Sequence, residues 1–131
     1  MAMNILIADD HANVRRGLRE ILADAFLGAR FSEACDGDDV LMELLRSPHD
    51  VLLLDINMPG RSGMEVLKDV KIMYPQLPVI MVSVQPENQY ASRCLRAGAT
   101  AYVNKNSASE ELAPAIQKIL DAGANPVWNH N

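Results

Sequence analysis

The stretch VLLLDINMPG, residues 51–60, decides the fold class. Its four consecutive aliphatic residues, Val51 to Leu54, are typical of a strand buried on both faces, as strands of parallel sheets are. A carboxylate, Asp55, follows this apolar run directly, and a Pro-Gly turn comes soon after. In doubly wound sheets, ligands bind just outside the carboxyl ends of the strands. The stretch therefore predicts a core strand that delivers a carboxylate to a binding edge.

Short apolar runs alternate with helical patterns on both sides of this stretch. Four further runs are strand candidates: 3–8, 29–34, 78–82 and 101–103, of which 29–34 is the weakest. Together with 51–54 they predict five parallel strands, connected by five helices that cover both faces of the sheet. The expected class is a doubly wound α/β fold with strand order 2-1-3-4-5.

Apolar residues that recur every three or four positions predict the buried helix faces. Four faces are Val14, Leu18, Ile21, Leu22 and Ala25; Val40, Leu41, Leu44 and Leu45; Val66, Leu67, Val70 and Met73; and Leu112, Ile116, Ile119 and Leu120. Residues 87–97 carry a smaller apolar set, Tyr90, Ala91, Cys94 and Leu95, so we expect this helix to be the least firmly anchored. Two capping boxes, Ser62 with Glu65 and Ser107 with Glu110, predict helix starts.

Length and composition limit the class of protein. The 131 residues, 49% hydrophobic and 22% charged, suit one globular domain. We assign residues 1–123 to this domain and 124–131 to a C-terminal tail or the start of a linker. The net charge of -5 argues against a nucleic-acid surface on this domain, and neither a membrane span nor a signal peptide is present in the sequence. We therefore expect a cytoplasmic chain, with Cys35 and Cys94 as reduced thiols in or near the core.

Polar residues follow the predicted strands at their carboxyl ends. Asp9 and Asp10 follow strand 1, Asp55 follows strand 3, Ser83 follows strand 4 and Lys105 comes after strand 5. The carboxyl ends of parallel strands meet at one edge, so these side chains should converge. Taken singly, either of the first two carboxylates could simply cap the next helix. Together, three carboxylates this close are costly unless a cation occupies the cluster, and oxygen ligands favour Mg2+.

Four motifs carry a resemblance to a known family: DD after strand 1, DINMPG after strand 3, VS at the end of strand 4 and YVNK through strand 5. As a set they resemble the receiver domain of bacterial two-component response regulators, a flavodoxin-like fold, over roughly residues 3–123. The phrases DDH…RRGL and LRAGATAYVNKNSASEEL resemble the NarL/FixJ group, whose members usually carry a C-terminal LuxR-type helix-turn-helix.

The resemblance implies a role for each matching position. Asp55 would accept a phosphoryl group from a sensor histidine kinase. Mg2+ would be held by Asp10, Asp55 and the backbone carbonyl of Asn57, with Asp9 acting mainly through a metal-bound water. On the phosphoryl side, Lys105 and Ser83 would contact the phosphoryl oxygens, while Tyr102 would turn inward and reshape the face formed by helix 4, strand 5 and helix 5.

The resemblance also implies how the chain acts. It would be a signalling phosphoprotein, not an enzyme beyond its own phosphoryl transfer and dephosphorylation, and it would act in transcription regulation. DNA would be bound only through a C-terminal domain that this chain does not contain. Homodimerisation on phosphorylation is an open option, and no membrane partner is expected.

Two departures from the family pattern, and two alternatives, accompany this hypothesis. Val84 replaces the Ala or Gly that is common in the family and predicts a narrower access gate to Asp55. Asn106 replaces the proline that often follows the conserved lysine, so a cis bond after Lys105 is less assured. A magnesium-dependent phosphatase would carry a second aspartate at the position of Asn57. A stand-alone adaptor, in which this domain is the whole protein, stays open.

Overall fold

Strands and helices alternate along the chain as the apolar pattern predicts. The structure, a computed structural model, describes residues 3–122, so the predicted tail at 124–131 lies outside the described residues. The strands are β1 Asn4–Ala8, β2 Arg30–Ala34, β3 Val51–Asp55, β4 Val79–Ser83 and β5 Ala101–Asn104. The helices are α1 Ala12–Ala25, α2 Gly37–Arg46, α3 Gly63–Met73, α4 Glu87–Arg96 and α5 Ala108–Asp121. None of these helices is both long and apolar enough to cross a bilayer.

All five strands form one parallel sheet in the order β2-β1-β3-β4-β5, which confirms the predicted topology. β3 lies between β1 and β4, and every residue of β3 is buried. Three strands end one residue later than predicted: β3 ends at Asp55, β4 at Ser83 and β5 at Asn104. Asp55 is in register with Val82. The sheet therefore fixes the backbone of Asp55 and Ser83.

Two separate apolar clusters cover the faces of the sheet. One cluster joins alternate strand residues, such as Leu52 and Leu54, to helices α2, α3 and α4. The other joins the intervening residues, such as Val51 and Leu53, to helices α1 and α5. This alternation follows from the period of two along a strand. Helices cover both faces of the sheet, and the carboxyl ends of the strands are left accessible to a ligand.

Four residues of the predicted helix faces are exposed instead of buried. They are Ala25, Leu45, Met73 and Leu95. Each occupies one of the last two positions of its helix, where the chain turns towards the next strand and the helix face is no longer covered. Cys35 is also exposed, whereas Cys94 is buried, and both are free thiols. The expectation that both cysteines lie in or near the core is thus wrong for Cys35.

The two predicted capping boxes have different outcomes. Ser62 is the N-cap of α3, and its hydroxyl accepts a hydrogen bond from the backbone N–H of Glu65 at 3.3 Å. Ser107 makes no side-chain capping bond, because a short 3-10 turn, Lys105–Ser107, precedes α5. That turn is capped by Asn104, whose Oδ1 accepts the N–H of Asn106 at 2.9 Å. The described residues contain no cis peptide bond, so the Lys105–Asn106 bond is trans.

Candidate functional site

The carboxyl edge of the sheet brings a lysine against two buried carboxylates. Lys105 Nζ lies 2.6 Å from Asp9 Oδ2 and 3.4 Å from Asp55 Oδ2. The side chains of Asp9 and Asp55 are 1% and 5% exposed, and that of Lys105 is 15% exposed. The ammonium therefore bridges two carboxylates, one just after β1 and one at the end of β3, and it compensates part of their mutual repulsion.

Asp55 is held at the end of β3 with little access to solvent. Its Oδ1 accepts the backbone N–H of Asn57 at 3.3 Å. Burial raises the pKa of the Asp55 carboxyl above its ordinary value; nearby Lys105 lowers it and Asp9 raises it, and the raising causes prevail. A carboxylate deprived of solvent in this way is kept relatively basic, which suits a nucleophile or a cation ligand.

The segment after β1 supplies the second part of the site. Asp9 continues the pairing of β1 with β2 through its backbone N–H, which donates to Ala34 O at 3.0 Å. Its Oδ1 accepts the N–H of His11 at 2.9 Å. The N-cap of α1 is His11, so neither Asp9 nor Asp10 caps the helix. Both carboxylates are therefore left to serve the site.

His11 lies closer to the acidic cluster than the sequence indicated. Its Nδ1 is 3.1 Å from Asp10 Oδ1 and 3.3 Å from Asp9 Oδ1, although the side chain is 69% exposed. Sequence reasoning gave this histidine no role, and its adjacency to two aspartates was the only signal in the sequence. The three side chains could hold one cation between them.

The residues present fit a divalent cation. Within the described residues, the buried oxygens Asp9 Oδ2 and Asp10 Oδ1 accept no hydrogen bond. Each instead lies beside a basic nitrogen, of Lys105 or His11, in an ion-pair contact whose geometry is not that of a hydrogen bond. Carboxylate oxygens that lack donors are the ligands that a hard divalent ion satisfies.

Ser83 and Tyr102 meet at the backbone of Gln85. Ser83 is fully buried, and its Oγ accepts the N–H of Gln85 at 3.1 Å. The Tyr102 hydroxyl donates to the carbonyl oxygen of the same residue at 2.7 Å, and Asn104 Nδ2 lies 3.5 Å from that oxygen. Val84, between the serine and this junction, is 57% exposed. One peptide segment thus connects a hydroxyl at the site with the tyrosine on β5.

Gly63, the first residue of α3, lets the helix approach the site, and the sequence analysis missed it. Its N–H donates to Ile56 O at 2.7 Å. A Cβ at this position would overlap the carbonyl oxygen of Asp55 and lie 2.7 Å from Ile56 Cα. A glycine that opens a helix is common enough that the sequence alone gave no reason to single it out.

The strand order and the acidic carboxyl edge define a CheY-like receiver fold. The model of the response regulator receiver domain family matches residues 5–117, so the chain belongs to that family. It is therefore a signalling receiver domain of the two-component type, and the motif resemblance is confirmed.

Several proteins of known name are similar to this chain. It is 34% identical over 120 residues to the glycerol metabolism activator of Pseudomonas putida, covering 89% of this chain and 53% of the relative. It is 33% identical over 117 residues to the response regulator UvrY of Escherichia coli, covering 89% and 54%. It is 33% identical to the transcriptional regulatory protein DegU of Brevibacillus brevis, covering 98% and 56%. The chain thus spans about half the length of these relatives.

Solved structures show the same fold. A CheY-like receiver domain protein from Methanospirillum hungatei superposes with a TM-score of 0.83 at 26% identity, covering 93% of this chain and 96% of that one. A LuxR-family two-component response regulator from Aurantimonas superposes with a TM-score of 0.84 at 27% identity, covering 93% and 87%. The second neighbour agrees with the NarL/FixJ resemblance of the motifs.

Proposed function

We propose that Asp55 is the phosphoacceptor of this receiver domain. The observation that carries the proposal is the Lys105 ammonium held between buried Asp9 and Asp55. A carboxylate oxygen of Asp55 attacks the phosphorus of a kinase phosphohistidine, the new O–P bond forms, the P–N bond breaks, and the imidazole leaves with the electron pair. The ammonium of Lys105 then faces the added negative charge.

The same proposal assigns Mg2+ to the acidic cluster. Asp10, Asp55 and the backbone carbonyl of Asn57 would hold the ion, and Asp9 would act through a metal-bound water. When bound, the ion neutralises charge on the phosphoryl oxygens. Support comes from one buried oxygen of Asp9 and one of Asp10, which accept no hydrogen bond from the residues that the structure describes.

Ser83 is suited to sense the phosphoryl group in this proposal. Its bond to Gln85 uses a lone pair of the hydroxyl oxygen, so the hydroxyl proton can be donated to a phosphoryl oxygen. Gln85 is also the acceptor for Tyr102. A shift of the serine is therefore transmitted through one residue to the tyrosine on the α4–β5–α5 face, which we propose as the switching surface.

Beyond this domain, the proposals rest on the relatives. We propose that the chain acts in the cytoplasm and takes its phosphoryl group from a sensor histidine kinase. We also propose that it controls transcription through a C-terminal DNA-binding domain, since one relative is named as a response regulator, another as a transcriptional regulatory protein, and both extend well past the matched length. Residues 1–123 would form the receiver unit and 124–131 the tail or linker. A reading frame that continues past Asn131 into a helix-turn-helix supports this output; a stop codon supports the stand-alone adaptor.

The decisive test of the phosphoacceptor is intact-mass analysis after incubation with acetyl phosphate and Mg2+. We expect the wild-type chain to gain one phosphoryl group, and the Asp55→Asn and chelator-treated samples to gain none. Asp24→Asn, which changes an exposed aspartate on α1, is the matched control and should be labelled like wild type. Equal labelling of the Asp55→Asn variant contradicts the proposal.

A further inference from the structure

An arginine on α1 contacts the backbone of the acidic cluster. Arg15 Nη1 donates to the backbone carbonyl of Asp9 at 2.6 Å, and its Nε donates to Glu33 Oε1 at 2.7 Å. The side chain of Arg15 is only 17% exposed. Its two contacts connect the segment after β1 to the neighbouring strand β2 through one rigid guanidinium.

Glu33 is itself held in place. Its other oxygen, Oε2, accepts from Arg19 Nη1 at 3.2 Å, and the Arg19 guanidinium lies over the Phe31 ring at 5.4 Å from its centroid. Two arginines one helical turn apart thus fix the carboxylate that orients Arg15. The Glu33 carboxylate neutralises the charge of the Arg15 guanidinium. Arg15 therefore supports the backbone of Asp9 without adding an unpaired cation beside the proposed metal ligands.

From these contacts we propose that Arg15 is a positioning residue for the divalent-cation site. The proposal rests on the proposed function, because it concerns the same acidic cluster. Asp9 is held at three points: its N–H by Ala34 O, its Oδ1 by the His11 N–H, and its carbonyl by Arg15. The first two contacts fix its backbone N–H and its side chain. The third fixes the peptide that leads into Asp10, and so sets where the Asp10 carboxylate lies relative to Asp55.

The charge balance supports the same conclusion. Without Arg15, the Asp9 carbonyl loses its donor and the Glu33 carboxylate loses its nearest cation next to an already acidic cluster. The peptide between Asp9 and Asp10 can then rotate, and the cation ligands lose their common geometry. Loss of an outer contact that orients ligands typically weakens metal binding by about tenfold or more.

The experiment compares Arg15→Ala with Arg16→Ala. Arg16 lies next in sequence on the same helix and is exposed, so both variants lose the same charge but only one loses the contacts to Asp9 and Glu33. Mg2+ binding is measured by isothermal titration calorimetry. We expect the dissociation constant to rise about tenfold in Arg15→Ala and to stay near the wild-type value in Arg16→Ala. Equal changes in both variants overturn the proposal, because charge alone then explains them.

A second variant and a kinetic readout separate positioning from a merely structural role. Arg15→Lys keeps the charge but has one ammonium in place of a two-sided fork, so Mg2+ binding should weaken to an intermediate degree. In Arg15→Ala and Arg15→Lys, the rate of labelling by acetyl phosphate should approach the wild-type maximum at saturating Mg2+. The Mg2+ concentration that gives half of the maximal rate should be higher than in wild type. A fall in maximal rate at unchanged half-maximal Mg2+ contradicts the proposal. A wild-type chain that binds no Mg2+ would instead overturn the proposed function itself.

Discussion

Ionised Asp55 destabilises the folded chain. Because burial raises the pKa of this carboxyl above the 3.8 of an ordinary aspartate, the folded state binds a proton more tightly than the unfolded state. The free energy of unfolding therefore rises as pH falls through the raised pKa and decreases as pH increases. Near neutral pH the carboxylate is a cost that Lys105 only partly offsets.

The first prediction follows from that sign. With divalent ions removed, Asp55→Asn should melt at a higher temperature than wild type at pH 7, by the few degrees that correspond to about 1 kcal/mol in a domain of this size. The difference should shrink as pH falls and vanish below about pH 3.8, where the wild-type carboxyl is protonated in both states. The measurement is a series of thermal melts across pH. A stabilisation independent of pH, or a destabilised variant, contradicts this account.

Val84 lies next to the site and provides a second prediction. The side chain is exposed and adjacent to Ser83, so we propose that it narrows the approach of water to a phosphorylated Asp55. Val84→Ala should therefore lose its phosphoryl group severalfold faster than wild type, as followed by intact mass over time. Ile72→Ala, which trims an exposed apolar side chain on α3, should decay like wild type. Unchanged decay of Val84→Ala removes the gating role.

The start of α3 determines how the backbone of Asp55 is supported. Gly63→Ala places a Cβ into the backbone of Asp55 and Ile56, where no flexible side chain can give way. We expect a loss of about 3 kcal/mol or more in urea unfolding, because overpacking against backbone is among the costly substitutions. Labelling of Asp55 should fall as well.

Gly17→Ala is the matched control for that change. Gly17 lies within α1, and an added Cβ would meet no atom within 4 Å apart from its chain neighbours and the backbone of its own helix. The substitution should stabilise the chain by about 0.5–1 kcal/mol, because alanine favours a helix and restricts the unfolded state. A Gly63→Ala variant as stable as Gly17→Ala would show that α3 does not approach Asp55 as closely as described.

The elements also show where sequence reasoning ends. The parallel sheet was predictable from the alternation of apolar runs with helical patterns, and the order 2-1-3-4-5 is one of the common orders of doubly wound sheets. Leu45 and Met73 match the helical period, yet they are exposed because they lie at the ends of their helices. Periodicity alone does not reveal where a helix stops packing against the sheet. Ser107 and Glu110 match a capping box, but the side chain of Asn104 caps the turn just before it and displaces that use.

For the whole molecule, the site was predictable to the extent that it follows from strand ends. Asp9, Asp55 and Lys105 converge because the carboxyl ends of parallel strands lie at one side of the sheet. The residue types predicted a cation there, whereas the phosphoryl group was implied only by the family resemblance. The contacts of Arg15 with Asp9 and of Tyr102 with Gln85 end on backbone carbonyls. A carbonyl is present at every residue, so such partners leave no mark in a sequence.

His49 adds a pH response of the opposite sign. It precedes β3 and is buried, with Nε2 3.1 Å from Ser32 Oγ. Burial lowers the pKa of this imidazole below its ordinary 6.5. Stability is therefore present above pH 6.5 and is lost as pH falls towards the lowered pKa, because the unfolded state takes up the proton first.

The effect of His49 on stability is best measured in the Asp55→Asn variant, because this variant lacks the Asp55 carboxyl, whose protonation changes stability in the opposite direction. The free energy of unfolding should be lower at pH 5.5 than at pH 7.5, and His49→Gln should reduce that difference while retaining a polar partner for Ser32. Urea unfolding at the two pH values gives the answer. A difference that His49→Gln leaves intact would assign the pH response to other groups.

The two apolar clusters on opposite faces of the sheet have a consequence for how this sequence can diverge. Leu53 and Leu54 are neighbours along β3, yet their side chains belong to different clusters, whereas Leu53 shares its cluster with Ile80 of β4. Substitutions at Leu53 and Leu54 should therefore combine almost additively, while those at Leu53 and Ile80 should show coupling. Each face can therefore accumulate compensating substitutions independently: residues packed under α1 and α5 can change without requiring changes under α2, α3 and α4.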